Sequence, residues 1–176
     1  MAAAEIALRT MLAVVFGVAF ISKIRSRAAF TEFAGSLGDI GWLRAPWRAA
    51  AAAAIPVLEA AVVALLAVPR AVPAGLAATA VLLCAFTAVT GLEAARGRRV
   101  RCRCFGSGTP GTGPEPKAQI ARNIVLLAAA AAGLALEPAS HGGSGAGQLV
   151  AALGLALLAA VALVRWDDLA YLAASR

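Results

Sequence analysis

Residues Val72 to Leu92 read VPAGLAATAVLLCAFTAVTGL and contain no charged side chain. A helix needs about 20 mostly apolar residues to cross the hydrocarbon core of a bilayer. The alternation of apolar and polar residues that marks a half-buried strand is absent, and the good helix formers alanine and leucine dominate. The stretch therefore predicts a membrane-spanning helix.

Four further segments share this length and composition. They are Glu5–Ser22, Trp47–Val68, Ala118–Leu136 and Gln148–Val164. Pro69 and Pro73 predict a tight connection between the second and third spans, because proline restricts the backbone and interrupts a helix. The fold class predicted is all-α, a polytopic membrane helix bundle with four core transmembrane helices and a fifth C-terminal one. We expect residues 5–136 to form the four-helix membrane domain, and residues 137–176 to supply a glycine-rich loop, the fifth helix and a short polar tail.

The composition of the whole chain agrees with exposure to lipid. Apolar residues make up 61% of the chain and charged residues 14%, whereas about a quarter of a typical soluble domain is charged. The net charge is +7, but the basic residues fall mainly in segments that connect apolar runs. Binding of nucleic acid calls instead for a basic, aromatic-dotted soluble face. We therefore expect a lipid bilayer as a partner and no nucleic acid.

A short amphipathic pattern follows the first span. Phe30, Phe33, Leu37 and Ile40 recur at spacings of three and four residues. Such spacing places them on one face of a helix, with the charged residues mostly elsewhere. The pattern predicts a short helix that lies in the headgroup plane of the membrane.

The basic residues are distributed unevenly over the two sides that five spans would create. The richer side holds Lys23, Arg25, Arg27, Arg44, Arg48, Arg96, Arg98, Arg99, Arg101, Arg103 and Lys117. Cytoplasmic loops of membrane proteins carry an excess of Lys and Arg. We therefore expect a multi-pass protein of the cell (plasma) membrane, with the N-terminus outside and the loop that bears Cys102 and Cys104 in the cytoplasm.

The strongest signal for chemistry is Arg101-Cys102-Arg103-Cys104. Residues two apart in a bent chain have Cα atoms roughly 5.5–7 Å apart, and a disulfide needs about 4.4–6.8 Å, so this pair can close a strained bridge. Strained disulfides exchange readily. The neighbouring guanidinium groups are expected to lower the pKa of both thiols because they stabilise the thiolates. The pattern predicts Cys102 and Cys104 as the catalytic pair of a thiol–disulfide oxidoreductase component.

Two other interpretations of this pair remain open. Two thiolates at this spacing can bind a soft ion such as Cu(I), but a closed zinc site takes four ligands and only two are visible, so no metal site is predicted. The cysteines can also be unpaired residues of a non-catalytic membrane scaffold. Motifs for ATP-driven transport, hydrolysis or dinucleotide binding are absent from the sequence, and no cofactor is evident. A quinone would need a cavity near Glu59.

Four polar residues interrupt the predicted spans or lie at their ends. Glu59 lies midway along the second span, where an ionisable group usually faces the bundle or a polar cavity. It is interpreted either as a functional group or as half of a buried pair between helices, with Arg122 as the candidate partner. Asn123 can bond to a neighbouring helix, and the alternative of an interfacial anchor suits Arg122 better than it suits Asn123. Lys23 ends the first span and is expected to extend its ammonium group into the headgroups.

Two residues of the third span are expected to have structural roles. Glu93 lies near the end of this span, where it can pair with a nearby arginine at the interface. Cys84 lies in the middle of the span and is interpreted as a small apolar residue that fills space in the interior.

Five short motifs follow one another along the chain. They are Phe20-Ile21-Ser22-Lys23, Phe30, Pro56-Val57-Leu58-Glu59, Cys102-Arg103-Cys104-Phe105-Gly106 and Arg122-Asn123. In this order they resemble the MauE-like, DoxX-related, redox-associated membrane proteins. The resemblance covers roughly Leu8 to Leu136 and leaves the fifth helix outside. The residue between the two cysteines is often small in that family and is Arg103 here.

The resemblance implies a role in the maturation of methylamine dehydrogenase, whose small subunit is rich in disulfides and works outside the membrane. It implies a thioredoxin-like redox protein as partner and Cys102 and Cys104 as the redox pair. Lys23, Glu59, Arg122 and Asn123 would then be framework or cavity residues. We therefore expect an integral membrane protein that supports thiol–disulfide redox maturation of a partner. A cytoplasmic loop would receive electrons from cytosolic thioredoxin, whereas delivery of a disulfide to an exported protein requires the loop outside.

Overall fold

A computed structural model describes residues 2–97, 116–136 and 145–166 of the chain. The helices are α1 (Ala2–Ile24), α2 (Arg27–Ser36), α3 (Ala45–Ala67), α4 (Val72–Ala95), α5 (Pro116–Leu136) and α6 (Ala146–Val164). Two short 3-10 turns, Leu37–Asp39 and Pro69–Ala71, follow α2 and α3. The predicted all-α fold is confirmed for the described part of the chain.

The described helices include five that are long and apolar enough to cross a membrane. They are α1, α3, α4 with the turn before it, α5 and α6. The prediction of five spans is therefore confirmed, and the observed bounds differ from the predicted ones by a few residues. The turn predicted at Pro69 and Pro73 is confirmed as well, because Pro69 opens the 3-10 turn and Pro73 lies at the start of α4.

The helices α1, α3, α4 and α5 pack side by side with alternating direction, and α6 packs against α1. The bundle therefore has two ends. The loop end is where α1 and α4 end and where α3 and α5 begin. The opposite end is where α3 and α5 end and where α4 begins.

The apolar core fills the half of the bundle nearer the opposite end. Its most deeply buried side chains belong to four helices, namely Leu12, Val62, Leu66, Leu76, Leu126 and Ala130. Glycine allows close contact at two points of this half. A Cβ atom on Gly75 would lie 3.0 Å from the backbone nitrogen of Leu66, and one on Gly133 would lie 3.1 Å from a Leu76 methyl group. At both points a larger residue would require its neighbour to shift, and such close packing of helices at small residues stabilises bundles in lipid.

The predicted amphipathic helix after the first span is present as α2. Its first turn is capped by Ser26, whose hydroxyl accepts a hydrogen bond from the backbone N–H of Ala29 at 3.0 Å. Phe33, Leu37 and Ile40 are buried against the start of α3, as the spacing predicts, while Phe30 is more than one third exposed. The placement of α2 in the headgroup plane stays a prediction.

The first turns of α3 extend beyond the end of α1. Lys23 lies one residue before the end of α1 and contacts Glu59, which is fourteen residues after Ala45. At about 1.5 Å per residue, roughly 21 Å of α3 precedes Glu59. This projecting part of α3 is the surface against which α2 packs.

Candidate functional site: a buried polar cluster at the loop end

An ion pair between α1 and α3 is the most deeply buried charged contact described. Lys23 Nζ lies 2.8 Å from Glu59 Oε1, and each side chain is 1% exposed. The same ammonium group donates a second hydrogen bond to the backbone oxygen of Ala19 at 3.1 Å. The ring of Phe33 covers it from α2, with the ring centre 5.3 Å from Nζ. Removal of either partner would leave an uncompensated charge in a region from which water is largely excluded.

This geometry corrects the expectation that Lys23 extends its ammonium group into the headgroups. A lysine at the end of an apolar helix normally does so. Here the side chain instead turns toward α3, because Glu59 offers a carboxylate at the same level of the bundle. Glu59 is thus half of a buried pair between helices, as one of the two interpretations predicts, and it pairs with Lys23.

The start of α5 brings two further polar residues into the interior. Asn123 Nδ2 donates a hydrogen bond to Thr87 Oγ1 on α4 at 3.2 Å, and Thr87 Oγ1 donates to the backbone oxygen of Leu83 at 2.7 Å. The prediction that Asn123 bonds to a neighbouring helix is confirmed. Arg122 is only 4% exposed, so the interpretation of this residue as an interfacial anchor is wrong. Its side chain points into the bundle.

Glu93 adds a buried carboxylate near the end of α4. Its side chain is 0% exposed, and its Oε1 lies 3.2 Å from Arg96 Nη1, which belongs to a side chain that is 46% exposed. The predicted pairing of Glu93 with a nearby arginine is confirmed. Each of the four core helices therefore buries one charged residue near the loop end, namely Lys23, Glu59, Glu93 and Arg122.

A small cavity of about 40 Å³ lies between these four helices. Its polar lining comes from Glu59, Thr90, Gln119, Arg122 and Asn123. Its apolar lining comes from Val15, Phe16, Ala19, Leu83, Phe86 and Leu126. Three of the predicted framework or cavity residues therefore line one space, and the fourth, Lys23, joins it through its ion pair with Glu59.

Thr87, Thr90 and Gln119 are polar residues of this region that the sequence patterns did not single out. The signal that could have revealed them is helical spacing, since residues three or four apart share one face. Gln119 precedes Arg122 by three residues and Asn123 by four, and Thr90 precedes Glu93 by three. Gln119 is 2% exposed and Thr90 is 5% exposed. Both residues therefore belong to the buried polar cluster.

The cavity is too small for a quinone headgroup. Pockets for organic ligands usually enclose about 300–1,000 Å³, whereas this space measures about 40 Å³. A cavity near Glu59 is present, as quinone binding would require, but its volume suits only much smaller molecules.

The two cysteines predicted as the redox pair, Cys102 and Cys104, lie outside the described residues, and their reactivity stays a prediction. Cys84 is described, and it is exposed on the surface of α4. The interpretation of Cys84 as a filler of the interior is therefore wrong. Within residues 2–97, 116–136 and 145–166, no three His, Cys, Asp or Glu side chains are grouped in a way that could hold a metal ion.

Five apolar helices and a buried cluster of charged side chains define a multi-pass helical membrane protein. Comparison with known proteins gives its family. The family model described as Methylamine utilisation protein MauE matches residues 1–136. The Methylamine utilization protein MauE of Paracoccus denitrificans is 37% identical over 164 residues, which cover 90% of this chain and 85% of that protein. This chain therefore belongs to the MauE family, as the resemblance in the sequence indicated. No solved structure matches it at a significant level.

Proposed function

We propose that this protein supports thiol–disulfide redox maturation of a partner protein through Cys102 and Cys104. The process it serves would be methylamine utilisation, the role named for its relative from Paracoccus denitrificans. The partner would be a thioredoxin-like redox protein, and the dependent product would be a disulfide-rich protein of the methylamine dehydrogenase type. The protein would act in the cell membrane.

One observation carries the proposal, namely that the charged residues are concentrated at the end of the bundle to which the cysteine segment is attached. That segment joins the end of α4 to the start of α5, so both of its attachments are at the loop end. Cys102 is the fifth residue after Gly97, so the chain between them spans at most about 18 Å. The buried polar cluster lies at this same end, whereas the half nearer the opposite end is packed mainly with apolar side chains and buries one described charged residue, Glu5.

The surface of the loop end is basic, which favours the proposed chemistry. Its exposed cationic side chains are those of Arg25, Arg27, Arg44, Arg96 and Lys117. Positive charge near a thiol favours the thiolate, which is the species that attacks a disulfide. The same charge distribution supports a cytoplasmic loop end, because cytoplasmic segments are enriched in Lys and Arg. On that side the pair would exchange electrons with a cytosolic thioredoxin-like protein.

The proposed reaction is a thiol–disulfide exchange in two steps. A thiolate of this chain attacks a sulfur of the partner's disulfide, so that one S–S bond forms, one breaks and a thiolate leaves on the partner. The second cysteine of this chain then attacks the mixed disulfide and releases the partner as a dithiol. This chain ends as the disulfide, having given two electrons to the partner. The reverse sequence of the same steps would deliver a disulfide.

Replacement of single cysteines tests this proposal. Cys102→Ser and Cys104→Ser should each abolish turnover. The variant that lacks the resolving cysteine should also trap a mixed disulfide with the partner, visible as a reductant-sensitive adduct on a gel, whereas the variant that lacks the attacking cysteine should form no adduct. Cys84→Ala is the matched control, because this cysteine is exposed near the middle of α4, eleven residues before the end of that helix. It should leave the redox state of the partner unchanged. If the partner's redox state is the same in all three variants and no adduct forms, the proposal is wrong.

A non-catalytic scaffold is the second candidate, and the buried ion pair between Lys23 and Glu59 favours it, since such contacts also serve assembly alone. In that case Cys102 and Cys104 would be replaceable without effect on the product, while Glu59 and Asn123 would not. The soft-metal alternative has a different signature in the same variants. The reduced protein would bind Cu(I) stoichiometrically, and either serine replacement would remove that binding.

A further inference from the structure

A groove that is open at the bundle surface runs between α1 and α3 at the opposite end. Its volume is about 350 Å³, within the range of about 300–1,000 Å³ that pockets for organic ligands usually enclose. Its lining consists of Arg9, Thr10, Ala13, Val14, Val63, Leu66 and Ala67. One guanidinium group and one hydroxyl group therefore share this groove with five apolar side chains.

The groove begins at the level where the chain turns from α3 into α4. Ala67 is the last residue of α3, and the 3-10 turn Pro69–Ala71 follows it closely. Because this turn joins two spans, we expect it at the membrane surface. Val63 lies four residues before Ala67, about 6 Å deeper along α3, and on α1 Arg9 is nearer the same surface than Val14. The groove therefore extends from the headgroup level toward the hydrocarbon core.

Arg9 has no counterion among the described residues. Its guanidinium group is half-buried, and within residues 2–97, 116–136 and 145–166 it forms no hydrogen bond or ion pair. Glu5 lies one turn earlier on α1 and is 7% exposed, but it forms no ion pair with Arg9. A charged side chain in a span normally pairs with another group or reaches the headgroups. The charge of Arg9 thus calls for an anion from outside the described chain.

We propose that this groove binds one anionic phospholipid of the surrounding bilayer. The lipid phosphate accepts hydrogen bonds from Arg9 and Thr10, and one acyl chain lies along Ala13, Val63 and Ala67. Arginine suits this contact because its planar group donates several hydrogen bonds to a phosphate, and basic pockets between membrane helices bind anionic headgroups. A phosphate ion alone would leave the apolar part of the groove uncovered. The site stands independently of the chemistry proposed for Cys102 and Cys104.

Photolabelling of the full chain in phosphatidylcholine bilayers tests the proposal. The probe is phosphatidylglycerol with a diazirine in its acyl chain, and mass spectrometry maps the adducts. The same diazirine chain on phosphatidylcholine is the headgroup control, because that lipid carries no net charge. Phosphatidylglycerol should label the groove segments of α1 and α3 at least about fivefold more than phosphatidylcholine does. Equal labelling of these segments by the two lipids would overturn the proposal.

Replacement of Arg9 assigns the headgroup contact. Arg9→Gln should reduce labelling of the groove by phosphatidylglycerol about tenfold, because a hydrogen bond to a charged group is lost. Arg70→Gln is the matched control, since Arg70 is an exposed arginine of the turn at the same end and does not line the groove. It should leave the labelling unchanged. Undiminished labelling in Arg9→Gln, or an equal loss in Arg70→Gln, would contradict the assigned contact.

Two exposed alanines of α3 test the place of the acyl chain. Ala67 lines the groove and Ala64 does not, so Ala67→Leu fills part of the groove with three further carbon atoms. This variant should label several-fold less than the unmodified chain, and Ala64→Leu should label equally well. Both side chains are exposed, so neither change disturbs the interior of the bundle. Full labelling in Ala67→Leu would show that the lipid binds elsewhere, and the proposal would be wrong.

Discussion

The two halves of the bundle are built from the same helices, but different interactions join the helices in each half. Near the opposite end, Gly75 meets Leu66 and Gly133 meets Leu76 so closely that no Cβ atom would fit without a shift of its neighbours. Near the loop end, the same helices enclose a cavity and bury charged side chains. Close packing stabilises the first half, and paired charges hold the second half together. The difference is consistent with our proposal that function is located in the second half, while the first half maintains the fold.

The largest expected effect is at the ion pair of the loop end. Lys23→Met or Glu59→Leu should each lower the free energy of unfolding by about 3–5 kcal/mol, because the remaining charge stays buried without its partner. The double variant should lose much less than the sum, since a well-packed apolar pair can replace a buried ion pair. Denaturant titration of the purified protein in detergent measures all three values. Losses that simply add would show that the two side chains do not interact.

A slightly smaller effect is expected at the opposite end. Gly75→Ala should destabilise the protein by about 1–3 kcal/mol, because its methyl group would collide with the backbone of Leu66. Gly91→Ala is the matched control on the same helix, where nothing lies within 4 Å of the added Cβ. It should stabilise the helix by about 0.5–1 kcal/mol. The same denaturant titration checks both variants, and equal effects would remove the distinction between the two halves.

The hydrogen bond between α4 and α5 is expected to contribute less. Double-mutant cycles on hydrogen bonds within membranes average about 0.6 kcal/mol. A cycle of Asn123→Ala and Thr87→Val should therefore give a coupling energy of about that size, because the two side chains contact each other at 3.2 Å. Thr79→Val combined with Asn123→Ala provides the control, since Thr79 bonds to its own helix. A coupling as large with Thr79 as with Thr87 would contradict the assigned contact.

The smallest effect on stability is expected at Arg96, a charged side chain that is partly exposed to solvent. Arg96→Gln should change the free energy of unfolding by no more than about 1 kcal/mol, because this guanidinium group is 46% exposed and solvent screens its pairing with Glu93. Unfolding at low and high salt measures the contribution of the pair. A loss comparable to that of Lys23→Met would mean that Glu93 depends on Arg96 far more than its exposure indicates.

The spans and their order could be predicted from the sequence because lipid imposes a local requirement. Each span needs only enough consecutive apolar residues, and that length can be counted along the chain. The hairpin at Pro69 and the amphipathic α2 were predicted for the same reason, since proline geometry and helical spacing are also local properties. The family resemblance was carried by short motifs and is confirmed by the match over residues 1–136.

Side-chain contacts across the bundle could not be predicted in this way. Lys23 was expected in the headgroups because it ends a helix, but its partner Glu59 lies 36 residues further along the chain. Arg122 was interpreted as an anchor because it lies in the first turns of a helix, yet it is buried. The sequence alone suggests that Cys84 fills space in the interior, but the residue is exposed. Because α4 is apolar on nearly all sides, the sequence of this helix does not indicate which of its faces contacts lipid. These outcomes depend on which helices are neighbours.

The central claim is that Cys102 and Cys104 alternate between a dithiol and a disulfide at the loop end. Alkylation with a membrane-impermeant maleimide, compared between intact and opened cells in a Cys84→Ala background, tests it most directly by mass shift. In opened cells we expect two labels after reduction and none after exposure to an oxidised thioredoxin-like partner, and in intact cells we expect no label. Two labels under every condition would show that the pair never bridges, and the proposed function would be wrong.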